Sequence, residues 1–161
     1  MPKNQGVKGV FSTMTKILFV CHGNICRSPM AEFIMKKLVA DRSEQFHIES
    51  RATSTEELGN PVYPPARRKL SEHGISCNGK YAQRITRKDY ESFDYVICMD
   101  GRNLRNIAYV IGEDDEGKIS RLMDYTDTPG DVADPWYTDD FETTYRDILR
   151  GCEGLLNKLT K

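Results

Sequence analysis

One short stretch limits the possible folds of this chain more than any other. Residues 17–20 (ILFV) lead directly into residues 21–29 (CHGNICRSP), and an amphipathic segment over residues 30–39 follows. An apolar run without alternation is typical of a strand that is covered on both faces. Pro29 suits the first turn of a helix, where its missing N–H is tolerated. The stretch therefore predicts a buried strand, a tight loop and a helix, in that order.

The rest of the chain continues this alternation of strands and helices. Further strands are predicted over residues 47–52, 93–99 and 118–123, and helices over residues 65–73, 86–91, 101–111 and 141–159. Leu104, Ile107 and Ala108 are expected to face inward from the helix over 101–111. Alternating elements predict right-handed crossovers and an α/β fold, in which a parallel sheet carries helices on both faces.

Composition restricts the classes of function. A chain of 161 residues suits one domain, and we expect residues 14–161 to form it, with residues 1–13 as a disordered extension. The formal net charge of -1 implies no long-range attraction to nucleic acid or to an anionic membrane. No apolar run approaches the ~18 residues of a membrane span, and no signal peptide is apparent. The five cysteines lack framework spacing, which favours reduced thiols in the cytoplasm.

The loop over residues 21–28 has the chemistry of an oxyanion site. Backbone N–H groups of residues 22–27 can curl into a nest above a helix N-terminus. Gly23 and Asn24 tolerate the positive φ that such a curl requires. Arg27 can grip two phosphate oxygens, and the same positive field favours the thiolate of Cys21, to which Ser28 can donate a hydrogen bond. The thiolate can take a phosphoryl group as a covalent intermediate.

A second candidate region lies in the long loop over residues 125–140. It follows the last predicted strand, so it should emerge at the carboxyl edge of the sheet, where Cys21 also lies. Asp134 is the candidate general acid for the leaving group and the candidate base for water. Asp131 is its rival, without the Pro-aromatic context that follows Asp134. Trp136 and Tyr137 are expected to wall the pocket and pack on a substrate ring.

These residues resemble the low-molecular-weight protein tyrosine phosphatase family. Residues 20–29 follow its V-C-x-G-N-x-C-R-S-P loop at every specified position, and residues 134–136 resemble its D-P-[WFY] acid loop. The resemblance runs from about Lys16 to the end of the chain. It implies a four-stranded parallel sheet, with a phosphate-binding loop between the first strand and the first helix. It also implies hydrolysis of protein phosphotyrosine without a metal or other cofactor.

The resemblance assigns a role to each loop residue. Cys21 is the expected nucleophile, Arg27 the phosphate binder and Asp134 the acid and base. The remaining phosphate-binding positions are His22, Gly23, Asn24, Ile25, Cys26 and Ser28. A holding network for the loop is expected from Asn24, Ser28, Ser50 and His73. Cys26 could pack under the loop or form a reversible disulfide with Cys21.

Two positions depart from the family pattern. Lys80 stands where many relatives have His, which puts a supporting histidine there in doubt. Glu56 stands where relatives often place an aromatic pocket wall, and an acid there should disfavour acidic peptides. The expected partner is a phosphotyrosine protein, such as a tyrosine kinase, and the expected state is a monomer. Alternatives are an arsenate reductase on the same scaffold and a non-catalytic phosphotyrosine-binding or phosphocarrier module.

Overall fold

The computed structural model describes residues 14–160 of the chain. The predicted extension over residues 1–13 lies outside that range. Within residues 14–160, no helix is both long and apolar enough to cross a membrane. All five cysteines are buried, free thiols.

A four-stranded parallel sheet forms the centre of the molecule, as predicted. Its strands are β1 (Thr15–Cys21), β2 (Phe46–Ala52), β3 (Tyr95–Cys98) and β4 (Ile119–Arg121). They lie in the order β2-β1-β3-β4, and every neighbouring pair is parallel. Cys21 is paired with Ala52 at the carboxyl end of β1. Because β1 is central, the loops that follow β2 and β3 lie on either side of the loop that follows β1.

In the described part of the chain, six α-helices surround the sheet. They are α1 (Arg27–Leu38), α2 (Pro64–Glu72), α3 (Arg87–Ser92), α4 (Gly101–Ile111), α5 (Pro135–Thr138) and α6 (Phe141–Leu159). Short 3-10 segments at Ala40–Gln45 and Leu122–Tyr125 complete the connections. The bounds of α4 and α6 match the prediction, since capping by Asp100 and Asp140 marks where each helix begins.

Both faces of the sheet are covered, so β1 is apolar without alternation. Ile17 and Phe19 pack into one core with α1, α2 and α6. Leu18 and Val20 pack into a second core with α3 and α4 on the opposite face. The side chains of a strand alternate between faces, so this central strand contributes to both cores.

Three local predictions were wrong. The third strand was predicted over residues 93–99, but β3 spans only Tyr95–Cys98. The last strand was predicted to reach residue 123, but β4 ends at Arg121, and Leu122 and Met123 are buried in a 3-10 turn against α6. In α4, Ala108 is exposed, whereas Asn103 and Ile111 are buried with Ile107. The Asn103 side chain is turned inward because its Oδ1 accepts hydrogen bonds from the backbone N–H groups of Met99 and Asp100.

The packing of α6 on the turn after β4 gives a stability prediction. A Cβ added to Gly154 would lie 2.1 Å from the Tyr125 carbonyl oxygen, which belongs to the backbone and has little freedom to move. We expect Gly154→Ala to lower the free energy of unfolding by about 1–3 kcal/mol, although Ala favours a helix over Gly. Urea unfolding measures this loss. Glu153→Ala, on the exposed face of α6, is the control, and equal stability of the two variants would contradict the close approach.

Candidate active site

The loop between β1 and α1 is held from outside through its carbonyl groups. The Cys21 carbonyl accepts from Thr53 N at 3.0 Å, that of His22 from Ser54 N at 3.1 Å, and that of Ile25 from Tyr63 N at 2.9 Å. With these carbonyls turned outward, N–H groups of the loop are left facing the concave side. Arg27 begins α1, and Cys26 stands at its N-cap position. The dipole of α1 therefore adds positive potential at the concavity.

The Cys21 sulfur lies at the centre of this concavity and is buried. The backbone N–H groups of Asn24 and Ser28 donate to Sγ at 3.3 and 3.4 Å. The Cys21 thiol donates to Ser28 Oγ at 3.0 Å. Once the thiol loses its proton, the Ser28 hydroxyl can donate along the same contact, which is the arrangement expected for a stabilised thiolate.

Positive φ was predicted at Gly23 and Asn24, and only Asn24 has it, with φ of 60°. Gly23 serves a different purpose, because a Cβ there would lie 3.3 Å from Cγ of Glu57. The small residue at position 23 allows the loop that follows β2 to approach the phosphate loop closely.

A buried polar network supports the loop from beneath. Asn24 Nδ2 donates to Ser28 Oγ at 2.8 Å and to Ser50 Oγ at 2.9 Å. Gln83 N donates to Asn24 Oδ1 at 3.1 Å. Ser50, at the end of β2, in turn donates to Glu32 Oε1 at 2.6 Å. Asn24, Ser28 and Ser50 therefore form one hydrogen-bonded network beneath the loop, which is the arrangement expected for residues that hold it.

His73 is not part of that network, contrary to expectation. Its ring stacks on Tyr145 of α6 with centroids 4.0 Å apart. Lys80 occupies the outer end of the network instead. Its Nζ lies 2.9 Å from Glu32 Oε1 and donates to the Ser50 carbonyl at 3.0 Å. Burial lowers the pKa of Lys80, and the Glu32 carboxylate opposes that effect.

Glu32 was not among the predicted site residues. It is a buried carboxylate on α1 whose other oxygen, Oε2, is 2.6 Å from Lys36 Nζ. The sequence pattern could have indicated this buried carboxylate, because Glu32 stands directly beside Ala31 and two positions before Ile34, on the buried stripe of an amphipathic helix. A charge in such a position requires a partner, because an unpaired buried carboxylate is strongly unfavourable.

Arg27 links the phosphate loop to two distant parts of the chain. Its guanidinium is buried, and Nη1 donates to the Val132 carbonyl at 3.0 Å. Nη2 is 2.9 Å from Asp100 Oδ2 and 3.4 Å from Asp134 Oδ2. Asp100 was not among the predicted site residues. Its position, two residues after the end of β3, was the signal that could have placed it at the carboxyl edge of the sheet.

The two candidate acids occupy different environments. Asp134 caps α5, with Oδ1 accepting from Trp136 N at 3.0 Å and Oδ2 directed to Arg27. Asp131 Oδ1 accepts from Gly101 N at 3.0 Å and from Arg121 Nη1 at 3.2 Å. Asp131 thus fastens the loop to α4 and β4, while Asp134 and not Asp131 lines the cleft above Cys21.

The cleft above Cys21 has a volume of about 390 Å³. Its walls include the three predicted pocket residues, Glu56, Trp136 and Tyr137, together with Glu57, Arg102 and Asn106, which were not predicted. The Trp136 ring is 61% exposed and lies 5.3 Å from the Tyr63 ring, centroid to centroid. His22 stands at the mouth, where its Nε2 is 3.1 Å from Glu56 Oε1. Ile25 adds an apolar lining.

Cys26 lies in the same loop as Cys21 and borders the cleft. Burial, together with the Cys21 sulfur and the Asp134 carboxylate, raises the pKa of Cys26 to about 12. Cys26 is therefore a protonated thiol near neutral pH. Burial also raises the pKa of Cys77, Cys98 and Cys152, which lie away from the cleft.

A thiol inside an oxyanion loop at the edge of a parallel sheet defines an α/β protein with a cysteine-based phosphate site. The sequence model of the family described as low molecular weight phosphotyrosine protein phosphatase matches residues 16–161. The chain belongs to this family.

Similar proteins come from bacteria and animals. Low molecular weight protein-tyrosine-phosphatase YfkJ of Bacillus subtilis is 38% identical over 152 residues, which is 92% of this chain and 97% of the relative. The crystal structure of YfkJ superposes with a TM-score of 0.88 at 36% identity, over 93% of this chain and 97% of that one. The low molecular weight phosphotyrosine protein phosphatase of Rattus norvegicus is 41% identical, over 88% and 94% of the two chains. A drosophila arginine phosphatase, at 29% identity, has a TM-score of 0.82 over 91% and 99% of the two chains.

The buried network gives a prediction at Lys80. Replacing Lys80 with Met leaves Glu32 with one cationic partner and removes the donor to the Ser50 carbonyl. We expect the free energy of unfolding to fall by about 2–3 kcal/mol, because breaking one side of a buried ion pair leaves a carboxylate undercompensated. Urea unfolding measures the loss, and Lys88→Met, at an exposed lysine of α3, is the matched control.

A double variant separates the ion pair from general packing. In Lys80→Met combined with Glu32→Gln, the carboxylate charge is gone, so the combined loss should be smaller than the sum of the single losses. Strictly additive losses would show that Lys80 and Glu32 do not act as a pair.

Proposed function

We propose that this protein hydrolyses phosphotyrosine in proteins through a cysteinyl-phosphate intermediate. The observation that carries the proposal is the meeting of Cys21, Arg27 and Asp134 at one cleft, although Asp134 is 107 residues beyond Arg27. Cys21 is the nucleophile, Arg27 the phosphate binder and Asp134 the general acid and base.

Binding of the phosphoryl group uses the loop and Arg27. The N–H groups of the loop and the α1 dipole provide a concave anion site. The Arg27 guanidinium offers its planar N–H fork to two phosphoryl oxygens. Asp100, at 2.9 Å from Nη2, holds the guanidinium in place from the side. Ile25, Trp136 and Tyr137 provide apolar and aromatic surface for the phenyl ring.

The first chemical step transfers the phosphoryl group to sulfur. The Cys21 thiolate attacks phosphorus, the S–P bond forms, and the bond from phosphorus to the phenolic oxygen breaks. Asp134 in its protonated form gives its proton to that oxygen, which leaves as neutral tyrosine. The preorganised N–H groups and Arg27 stabilise the charge on the equatorial phosphoryl oxygens.

The second step releases inorganic phosphate. Asp134, now a carboxylate, accepts a proton from water as the water oxygen attacks phosphorus. The S–P bond breaks, and the electron pair returns to the Cys21 sulfur. The hydrogen bonds from Asn24 N, Ser28 N and the Ser28 hydroxyl stabilise this thiolate as a leaving group.

Cys26 has a proposed redox role beside this chemistry. A peroxide oxidises the Cys21 thiolate to a sulfenic acid, and Cys26 then condenses with it to a disulfide, releasing water. The raised pKa of Cys26 supports this order, since Cys21 and not Cys26 supplies the reactive thiolate. A thiol reductant would restore both cysteines.

The arsenate reductase alternative is not favoured. A disulfide relay needs a further cysteine that can carry the disulfide from Cys21 to the protein surface, but Cys77 and Cys98 are both buried in the hydrophobic cores. The proposed partner is a phosphotyrosine protein, such as a tyrosine kinase. The phosphatase is proposed to act on it as a monomer. The free thiols support the reducing cytoplasm as its location.

The nucleophile is tested by Cys21→Ser. A serine oxygen in this loop remains protonated near neutral pH, so hydrolysis of an aryl phosphate should fall to background while the circular dichroism spectrum is unchanged. Cys77→Ala, which removes a thiol outside the cleft, is the control and should retain activity. Activity retained by Cys21→Ser would rule out this mechanism.

The substrate class is tested in the same assay with four phosphopeptides of one sequence, carrying phosphotyrosine, phosphoserine, phosphothreonine or phosphoarginine. We expect the phosphotyrosine peptide to have the highest kcat/KM, because the cleft offers a ring-sized apolar wall. The highest kcat/KM for phosphoarginine would instead favour the activity named for the drosophila relative.

A further inference from the structure

The mouth of the cleft carries opposite charges on its two sides. Strand order fixes this arrangement, because β1 lies between β2 and β3. Glu56 and Glu57 belong to the loop that follows β2, and Arg102 belongs to the helix that follows β3. All three line the cleft. Asp100 and Asp134 also line the cleft, but both are directed to Arg27, so at the mouth the Cys21 loop separates a carboxylate side from a guanidinium side.

The acidic side is held in place by neighbouring side chains. Glu56 is 69% exposed, and its Oε1 lies 3.1 Å from His22 Nε2 at the start of the phosphate loop. Glu57 packs against Gly23, and its Oε1 accepts from Asn60 Nδ2 at 2.8 Å. Neither carboxylate is paired with a lysine or arginine among residues 14–160. Both are therefore available to a cation that approaches the mouth.

The basic side begins at the first turn of α4. Arg102 is exposed and contacts the Tyr137 side chain, which raises the pKa of the guanidinium. Over the described range of the chain, Arg102 forms no ion pair with a carboxylate. Its guanidinium can therefore receive an anionic group.

We propose that the mouth selects phosphotyrosine peptides by charge on both flanks, with a basic residue toward Glu56 and Glu57 and an acidic residue toward Arg102. This inference rests on the proposed phosphotyrosine hydrolysis. A peptide extended across the mouth places residues two positions from the phosphotyrosine roughly 7 Å from it, within reach of long side chains on either wall. The two orders of charge give peptides of the same net charge. A preference between them therefore reports the order of the charges and not the net charge.

Two isomeric peptides provide the test. One carries two lysines before the phosphotyrosine and two glutamates after it, and the other has the reverse order. Exposed ion pairs are individually weak, but exchanging attraction for repulsion at both walls should separate the two kcat/KM values by about tenfold at low salt. The separation should shrink at high ionic strength, since the charges are exposed to solvent.

A charge-exchanged variant makes the test independent of peptide conformation. Glu56→Arg combined with Arg102→Glu should invert the preference between the two peptides. Arg68→Glu, at an exposed arginine of α2 that does not border the cleft, should leave the preference as it is.

Two results would overturn the proposal. One is kcat/KM values within twofold of each other for the wild-type protein, and the other is an unchanged preference in the charge-exchanged variant. Equal hydrolysis of both peptides would leave the phosphatase function standing, whereas hydrolysis of neither would also remove that function.

Discussion

The contacts around the Cys21 sulfur are the constraint on which the rest of the site depends. Two backbone N–H groups and the Ser28 hydroxyl surround Sγ, and they can do so only if β1 ends at Cys21 and α1 begins at Arg27. The Asn24 side chain then connects the loop to Ser50 on β2, and Glu32 and Lys80 close the network beneath it. A reactive sulfur is thus tied to the neighbouring strand and to the first helix.

Arg27 connects the phosphate loop to the chain segments that follow other strands of the sheet. Its guanidinium contacts Asp100 after β3 and the loop after β4 at Val132 and Asp134. One buried cation thereby joins the loop after β1 to the segments after β3 and β4, which meet at one edge because every strand is parallel. Two of its neighbours are carboxylates, so this charged side chain is paired although it is buried. In the proposed reaction, Asp100 keeps the guanidinium in place while the phosphoryl group binds.

Much of this arrangement follows from the sequence, and the remainder depends on tertiary packing. The apolar run of β1 and the alternation of strands and helices along the chain predict the fold, since each is a local pattern with one favourable outcome. The resemblance of residues 20–29 to the family loop predicts an oxyanion site, and the positive φ expected there is found at Asn24 but not at Gly23. His73 was misplaced because its stacking on Tyr145 arises from helices distant in sequence. The pairing of Lys80 with Glu32 was not predicted for the same reason: it joins a loop to the first helix, and neither residue type alone indicates burial.

The cysteinyl-phosphate intermediate is the central claim, and trapping it tests that claim most directly. Asp134→Asn keeps the shape of the side chain but cannot activate water, so with an aryl phosphate of good leaving group the second step should become slower than the first. Acid quenching and peptide mapping by mass spectrometry should then find a phosphoryl group on Cys21. A phosphoryl group on another residue would contradict the account. Turnover without any phosphorylated protein would also contradict it, if Cys21→Ser remained active as well.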